Sequence, residues 1–451
     1  MMRRCLSGLL APIAATLFPL LLLALAWHLK HPLMFWLANW ETPLLLSFTL
    51  IGLAWQGQRG NRLPVALLLG ALGLLAWREA EFQQQRAAVL AAPASMQQVG
   101  RHFVVGFTDW AEVRQLAERG LIGGIYLARL NLRGRTLPEV AAEIAALQAA
   151  RRQAGWPPLI VAGDQEGGPV SHLSPLLEAM PPLASLAGHA SRAQHARHYG
   201  ERQGLGLSKL GVNLNFGPVV DLRPAAPDSP RDRLTRISAR AIAADPATVG
   251  SIAEGYVAGL ASQGVRATLK HFPGLARVTQ DTHLRAATIA EAPEALADDW
   301  QPFRQLAGRP GTAIMLGHVT LSALDPEHAV SHSHAVVDGL LRGAWAYDGV
   351  LLTDDLNMGA VYDLGIGRVA SEALAAGVDL ILVSYDPRQF YRAAHAAARA
   401  LARGEIREDV LQRSKRRLDA FQPRKASHDL KRGELATIAK PSRLPENRAE
   451  S

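Results

Sequence analysis

Three short segments of this chain combine carboxylates, an imidazole and amines at spacings that could do chemistry. They are Asp164-Gln-Glu-Gly-Gly168, Lys270-His-Phe-Pro-Gly274 running on to Asp281-Thr-His283, and Leu351-Leu-Thr-Asp-Asp-Leu356. The second places a carboxylate and an imidazole two residues apart, and the third supplies a separate carboxylate pair. An imidazole that gives and takes a proton, with a carboxylate free to attack, suffices for a two-step displacement at an acetal carbon.

Something must bring these distant segments together. From residue 97 onward, short β-rich runs alternate with Ala/Leu/Glu/Arg-rich stretches of helical period, such as 138–152 and 246–262. The runs cover 102–108, 124–128, 159–164, 212–222, 267–273, 312–319, 349–355 and 380–386. Near-continuous apolar strands separated by helices indicate a parallel sheet covered on both faces. Eight such units predict a closed (β/α)₈ TIM-like barrel over 97–421, whose ligands meet the loops at the carboxyl ends of the strands. Asp164 would end the third strand, Lys270 and His271 the fifth, and Asp354 and Asp355 the seventh.

The first 82 residues read as a separate helical membrane region. Apolar runs cover 6–27, 34–55 and 63–77, with Trp27, Trp36, Trp40, Trp55 and Trp77 at or near their ends, as an interfacial belt places them. Arg3 and Arg4 precede the first run and Arg59 and Arg62 separate the last two, so three spans put the barrel on the outer side of a cytoplasmic membrane. A cleaved signal ending near Ala24-Leu-Ala26, followed by a hairpin, leads to the same side. Residues 422–451 are polar without an apolar period and read as a disordered tail. The lone Cys5 excludes a disulfide framework or thiolate cluster, and neither a metal motif nor a nucleotide fingerprint is present, so no cofactor or metal is expected. A net charge of +8 is spread along the chain without interleaved aromatics, which argues against nucleic acid as the partner.

Taken together, the motifs from about 97 to 421 resemble the bacterial β-N-acetylhexosaminidases of glycoside hydrolase family 3, in the short form without a second domain. Besides the three segments, the resemblance rests on Asn215-Phe-Gly-Pro-Val-Val-Asp221 and on Arg240 ahead of Asp245-Pro246. It implies Asp354 as nucleophile, His283 as general acid and then base, and Asp281 as the group that orients and charges the imidazole. Asp164, Arg240, Lys270 and His271 would bind the sugar, and Asp221 would anchor a loop. The implied activity is retaining release of terminal β-linked N-acetylglucosamine from peptidoglycan fragments or related glycans. The residues alone leave Glu166 open as an alternative acid and Asp355 as an alternative carboxylate.

The chain also departs from the family pattern. His172 stands where an arginine is usual, Pro169 replaces another, and Leu275-Ala-Arg277 replaces His-Gly-Asp after the Pro-Gly pair. His172 therefore enters the set of candidate sugar contacts. Three rivals remain: a phosphorylase, with Arg277 recruiting the anion; a catalytically silent, membrane-anchored glycan-binding protein; and a membrane scaffold whose barrel docks partners. Oligomeric state is not legible.

Overall fold

The computed structural model describes residues 2–174, 176–226 and 232–421, with side chains from Ala15 onward. The expected tail at 422–451 lies outside the described residues. Eight parallel strands close into a barrel: β1 (Phe103–Val105), β2 (Gly124–Tyr126), β3 (Ile160–Gly163), β4 (Leu214–Asn215), β5 (Arg266–Phe272), β6 (Thr312–Leu316), β7 (Val350–Asp355) and β8 (Leu380–Val383). Each pairs with its neighbours in sequence, and β8 closes on β1 with Val104 opposite Leu382.

Alternation along the strands builds two apolar layers. Val104, Ile160, Ala162, Leu214, Met315 and Leu352 fill the lumen, where Leu418 and Phe421 also pack. The intervening Val105, Val161, Ile314, Leu351 and Ile381 face the helices. The helices carry the expected start signals. Asp245 caps Pro246–Ser262 by accepting the Thr248 N–H at 2.8 Å, with Pro246 in the first turn. That helix lies tight against Arg192–Leu210: a Cβ on Gly200 would sit 2.3 Å from the Tyr256 carbonyl oxygen.

Except for β5, which starts one residue ahead of its run, the strands are shorter than the apolar runs that contain them. The run at 212–222 yields only Leu214–Asn215, because Pro218 has no N–H to donate and pairing resumes as a single bridge from Val219 to Lys270. The end of the sixth run leaves the barrel, where Val319–Leu321 pairs with Ala287–Ile289 in a small separate sheet.

Ahead of the barrel stand α1 (Met2–Trp27), a short 3₁₀ segment at Pro32–Leu37, α2 (Glu41–Gln58) and α3 (Arg62–Leu90). The expected second run is thus divided: its first part winds as 3₁₀, and the α-helix starts at Glu41, whose carboxylate suits a helix N-terminus. Among the described residues, α3 is the one helix long and apolar enough to cross a bilayer; Ala15–Trp27 is a shorter apolar helix. The three helices share a core of Leu22, Leu29, Leu45, Leu68 and Leu75. α3 carries on past residue 82, and Phe82 and Val89 belong to the barrel's own core.

Candidate active site

At the carboxyl ends of β3 and β5 the structure assembles a buried network of alternating charge. Lys270 Nζ lies 2.5 Å from Asp164 Oδ1 and 2.7 Å from Glu166 Oε1. Arg240 grips Glu166 in a bidentate pair at 2.7 and 3.1 Å; its Nη2 also lies 3.3 Å from His271 Nε2, and its Nη1 donates to the Thr235 carbonyl at 2.9 Å. His271 Nδ1 in turn lies 2.7 Å from Asp221, which also accepts the backbone N–H groups of His271 and Leu275. Burial raises the Asp164 carboxyl, but Lys270, His172 and the Tyr126 hydroxyl outweigh it and hold it at about 2. Burial works against the Lys270 charge, and Asp164 and Glu166 more than compensate, keeping it above the usual lysine range.

Glu166 is engaged by both cations. Burial raises its carboxyl, yet Arg240 and Lys270 hold it below the usual carboxylate range, which counts against its use as an acid. His172 reaches the network through one intermediary: its Nδ1 lies 2.9 Å from the Tyr126 hydroxyl, which donates to Asp164 Oδ2 at 2.8 Å.

The second half of the site comes from the loops after β5 and β7. Asp281 accepts the N–H groups of Arg233 and Leu234 on one oxygen, and the Thr235 hydroxyl and His283 N–H on the other. His283 Nδ1 sits 3.1 Å from Asp281 Oδ1 and 3.2 Å from Thr235 Oγ1. Burial pushes the Asp281 carboxyl up, but the backbone donors and the imidazole bring it below its ordinary value, so it stays an anion beside the ring. With Nδ1 so engaged, Nε2 is the atom left to exchange a proton, and the His283 side chain is 38% exposed.

Asp354 and Asp355 separate cleanly. Asp355 spends both oxygens on Asn357, Ser384 and the Tyr385 N–H, including a 2.6 Å bond from the Ser384 hydroxyl. Among the described residues, Asp354 accepts only the Asp355 N–H, at 2.8 Å. Burial raises its carboxyl, but the neighbouring His271, His318 and His283 hold it below its usual value. The loops that carry the two groups are tied together, because the His283 carbonyl accepts the Gly359 N–H at 2.7 Å. A side chain at 359 could not approach so closely, since a Cβ there would lie 2.5 Å from the Leu284 carbonyl oxygen.

Sequence reasoning missed three contributors. Tyr126 ends β2 and binds Asp164. Thr235 bridges to the dyad from the preceding loop. His318, just past β6, is buried with Nε2 on the Asp355 carbonyl at 3.0 Å and Nδ1 on Ser331 at 2.8 Å. Desolvation brings its pKa below the usual histidine value against the pull of Asp354 and Asp355. Position at a strand's carboxyl end was the one signal available for Tyr126 and His318; Thr235 gave none. Arg277, the supposed anion receptor, instead pairs with Asp299 at 3.0 Å and Glu291 at 3.4 Å and donates to the Ala295 carbonyl. A cleft of about 1080 Å³ lined by Arg266, Gly311, Trp345 and Phe421 opens at the amino end of the barrel, opposite these groups.

A profile described as the glycosyl hydrolase family 3 N terminal domain matches residues 94–420. The chain is 33% identical over 290 residues to the beta-hexosaminidase LpqI of Mycobacterium tuberculosis, spanning 62% of this chain and 70% of that protein. It is 34% identical over 291 residues to a beta-hexosaminidase of Xanthomonas euvesicatoria, spanning 62% of this chain and 82% of the other. Among solved structures it is similar to a glycoside hydrolase family 3 beta-N-acetylglucosaminidase from Paenibacillus sp., with TM-score 0.66 and 32% identity over 78% of this chain and 64% of that one.

Proposed function

We propose that this protein, which belongs to glycosyl hydrolase family 3 and is a glycosidase, is a retaining exo-β-N-acetylglucosaminidase anchored in the cytoplasmic membrane. The observation that carries the reading is the contrast between two carboxylates, Asp281 on the loop after β5 and Asp354 at the end of β7, in segments joined through Gly359. Asp281 is saturated and holds an imidazole, while Asp354 keeps lone pairs free to attack. The hexosaminidase names of the relatives support N-acetylglucosamine as the sugar.

In the first step an Asp354 oxygen bonds to the anomeric carbon as the bond to the leaving oxygen breaks, and that oxygen takes the proton from His283 Nε2. In the second, neutral His283 removes a proton from water, the new hydroxide oxygen bonds to the anomeric carbon, and Asp354 departs as carboxylate. Two displacements return the β-anomer. One imidazole nitrogen can both give and take a proton, so the same ring serves both steps. Asp164, Lys270, Arg240 and His271 present rigid charged groups that suit sugar hydroxyls, with His172 behind Tyr126.

The substrate class is peptidoglycan fragments or related glycans. The apolar helices α1–α3 would hold the protein in the bilayer as three spans, with the barrel on the periplasmic or outer side. The phosphorylase reading loses its receptor, since Arg277 is committed to carboxylates.

The test is hydrolysis of an aryl β-N-acetylglucosaminide by the full-length protein in detergent, beside the matching β-glucoside and with and without phosphate. Free N-acetylglucosamine at a phosphate-independent rate is expected. A sugar phosphate as product, or no turnover, would overturn the reading.

A further inference from the structure

The direction in which the catalytic mouth faces is legible from α3. Near Glu79 this helix meets the carboxyl end of the barrel. Glu79 pairs with Lys30 Nζ at 2.8 Å, the Lys30 carbonyl accepts Gln389 Nε2 at 2.5 Å, and Gln389 opens the helix that follows β8. Farther along, the Leu90 carbonyl accepts from Arg119, which precedes β2 at the amino end. α3 therefore descends the barrel wall from mouth to base. Its apolar portion, from Trp77 back to Arg62, projects beyond the mouth for about 23 Å at 1.5 Å per residue.

Side-chain chemistry along that projection fits a bilayer on the mouth side. Exposed Leu21, Ile51, Leu63 and Leu69 clothe the bundle. Trp27 and Trp77 stand at its barrel end beneath the Arg78 guanidinium, and Trp55 at the far end beneath Arg59, 3.7 Å from its ring. Only a turn of α3 separates Trp77 from the level of Gln389.

The mouth itself is apolar at its edge. Among the described residues of the barrel domain, the large apolar side chains left exposed are Leu130, Leu205, Leu234, Leu284, Leu364 and Tyr385. All except Leu205 lie on connections that follow strand carboxyl ends, Leu130 in the short helix Arg129–Leu132. Phe35 of the 3₁₀ segment packs on Tyr385 at 5.7 Å, and His31 on Tyr362 at 4.8 Å, so this edge continues into the exposed Leu33, Trp36 and Trp40.

We propose that the catalytic mouth faces the bilayer that holds the bundle, and that the substrate is a β-N-acetylglucosaminide carried on a lipid anchor in that same bilayer. This rests on the glycosidase and membrane readings above. An exo-acting barrel takes the terminal sugar inward and leaves the aglycone pointing out of the mouth. Here that path leads into the headgroup layer, where the Leu and Trp side chains of the edge meet the anchor.

The full-length protein, reconstituted into vesicles of phosphatidylethanolamine and phosphatidylglycerol, is given a β-N-acetylglucosaminide on a dialkylglycerol anchor. The anchored substrate is placed either in the same vesicles or in separate protein-free ones, and a soluble aryl β-N-acetylglucosaminide is assayed beside both. Turnover of the soluble substrate, with same-vesicle substrate consumed at least tenfold faster than that in separate vesicles, is expected. Soluble turnover with equal rates on the two vesicle populations, or with the same-vesicle substrate untouched, overturns the orientation while leaving the glycosidase reading standing. Failure on the soluble substrate overturns that reading and this one with it.

Discussion

Asp354 and Asp355 are chemically identical neighbours that the fold uses in different ways. Asp355 knits the loops after β7 and β8 through Asn357, Ser384 and Tyr385. Asp355→Ala leaves several donors unpaired, so a loss of roughly 1–3 kcal/mol in denaturant unfolding is expected, along with weakened activity. An unchanged unfolding midpoint would contradict the structural role. His283→Ala should slow substrates with poor leaving groups by roughly 10²–10⁴-fold, while an activated phenol, which needs no proton, loses far less in the first step. Equal losses would remove His283 from the acid role. Residue types and order were enough to single out the segments that hold Asp164, Lys270, Asp281, His283 and the Asp354-Asp355 pair, while only the family resemblance chose Asp354 over Asp355. They did not reveal that Glu166 is spent on Arg240 and Lys270, or that His318 stands beside the Asp354 carboxylate. Such facts depend on which side chains meet across the barrel, and spacing along one strand does not encode them.

At the scale of elements, the site depends on two βα loops being held in register. Gly359 is where they touch: its N–H reaches the His283 carbonyl, and a Cβ would collide with backbone. Gly359→Ala should therefore displace the dyad loop. A tenfold or greater fall in kcat on unactivated substrates is expected, with a melting temperature within a few degrees of the parent; full kcat would show that the contact does not position His283. The barrel was legible because buried parallel strands leave unbroken apolar runs, and each of the eight runs overlaps one strand of the barrel. Strand ends were not legible. In 212–222 the apolar pattern continues through Pro218 although pairing stops, because burial and pairing are separate properties of a chain. The join between bundle and barrel was hidden for a related reason. The polar face that seals it, with Lys30, Glu41, Glu79 and Arg388, reads in sequence as scattered charges.

Across the whole molecule, a buried charge network underlies the mouth and links pH to stability. The Asp164 carboxyl lies at about 2 in the folded protein against 3.8 when free, so its contribution is fully present above about pH 4 and is lost as pH falls toward 2. That loss amounts to ~2 kcal/mol for the group. Unfolding curves should show it below pH 4, and Asp164→Asn should flatten that slope; an unaltered slope would place the acid sensitivity elsewhere. In the proposed mechanism, chain topology would bring an attacking oxygen from β7 and a proton carrier from the loop after β5 to one sugar linkage. The most direct test uses the full-length protein with a 2-acetamido sugar fluoride that traps a glycosyl-enzyme, followed by peptide mass mapping and by NMR of the first-formed anomer from ordinary substrate. The added mass is expected on Asp354, with the β-anomer released first. An adduct on Asp355 or Glu166, or the α-anomer appearing first, would contradict the account.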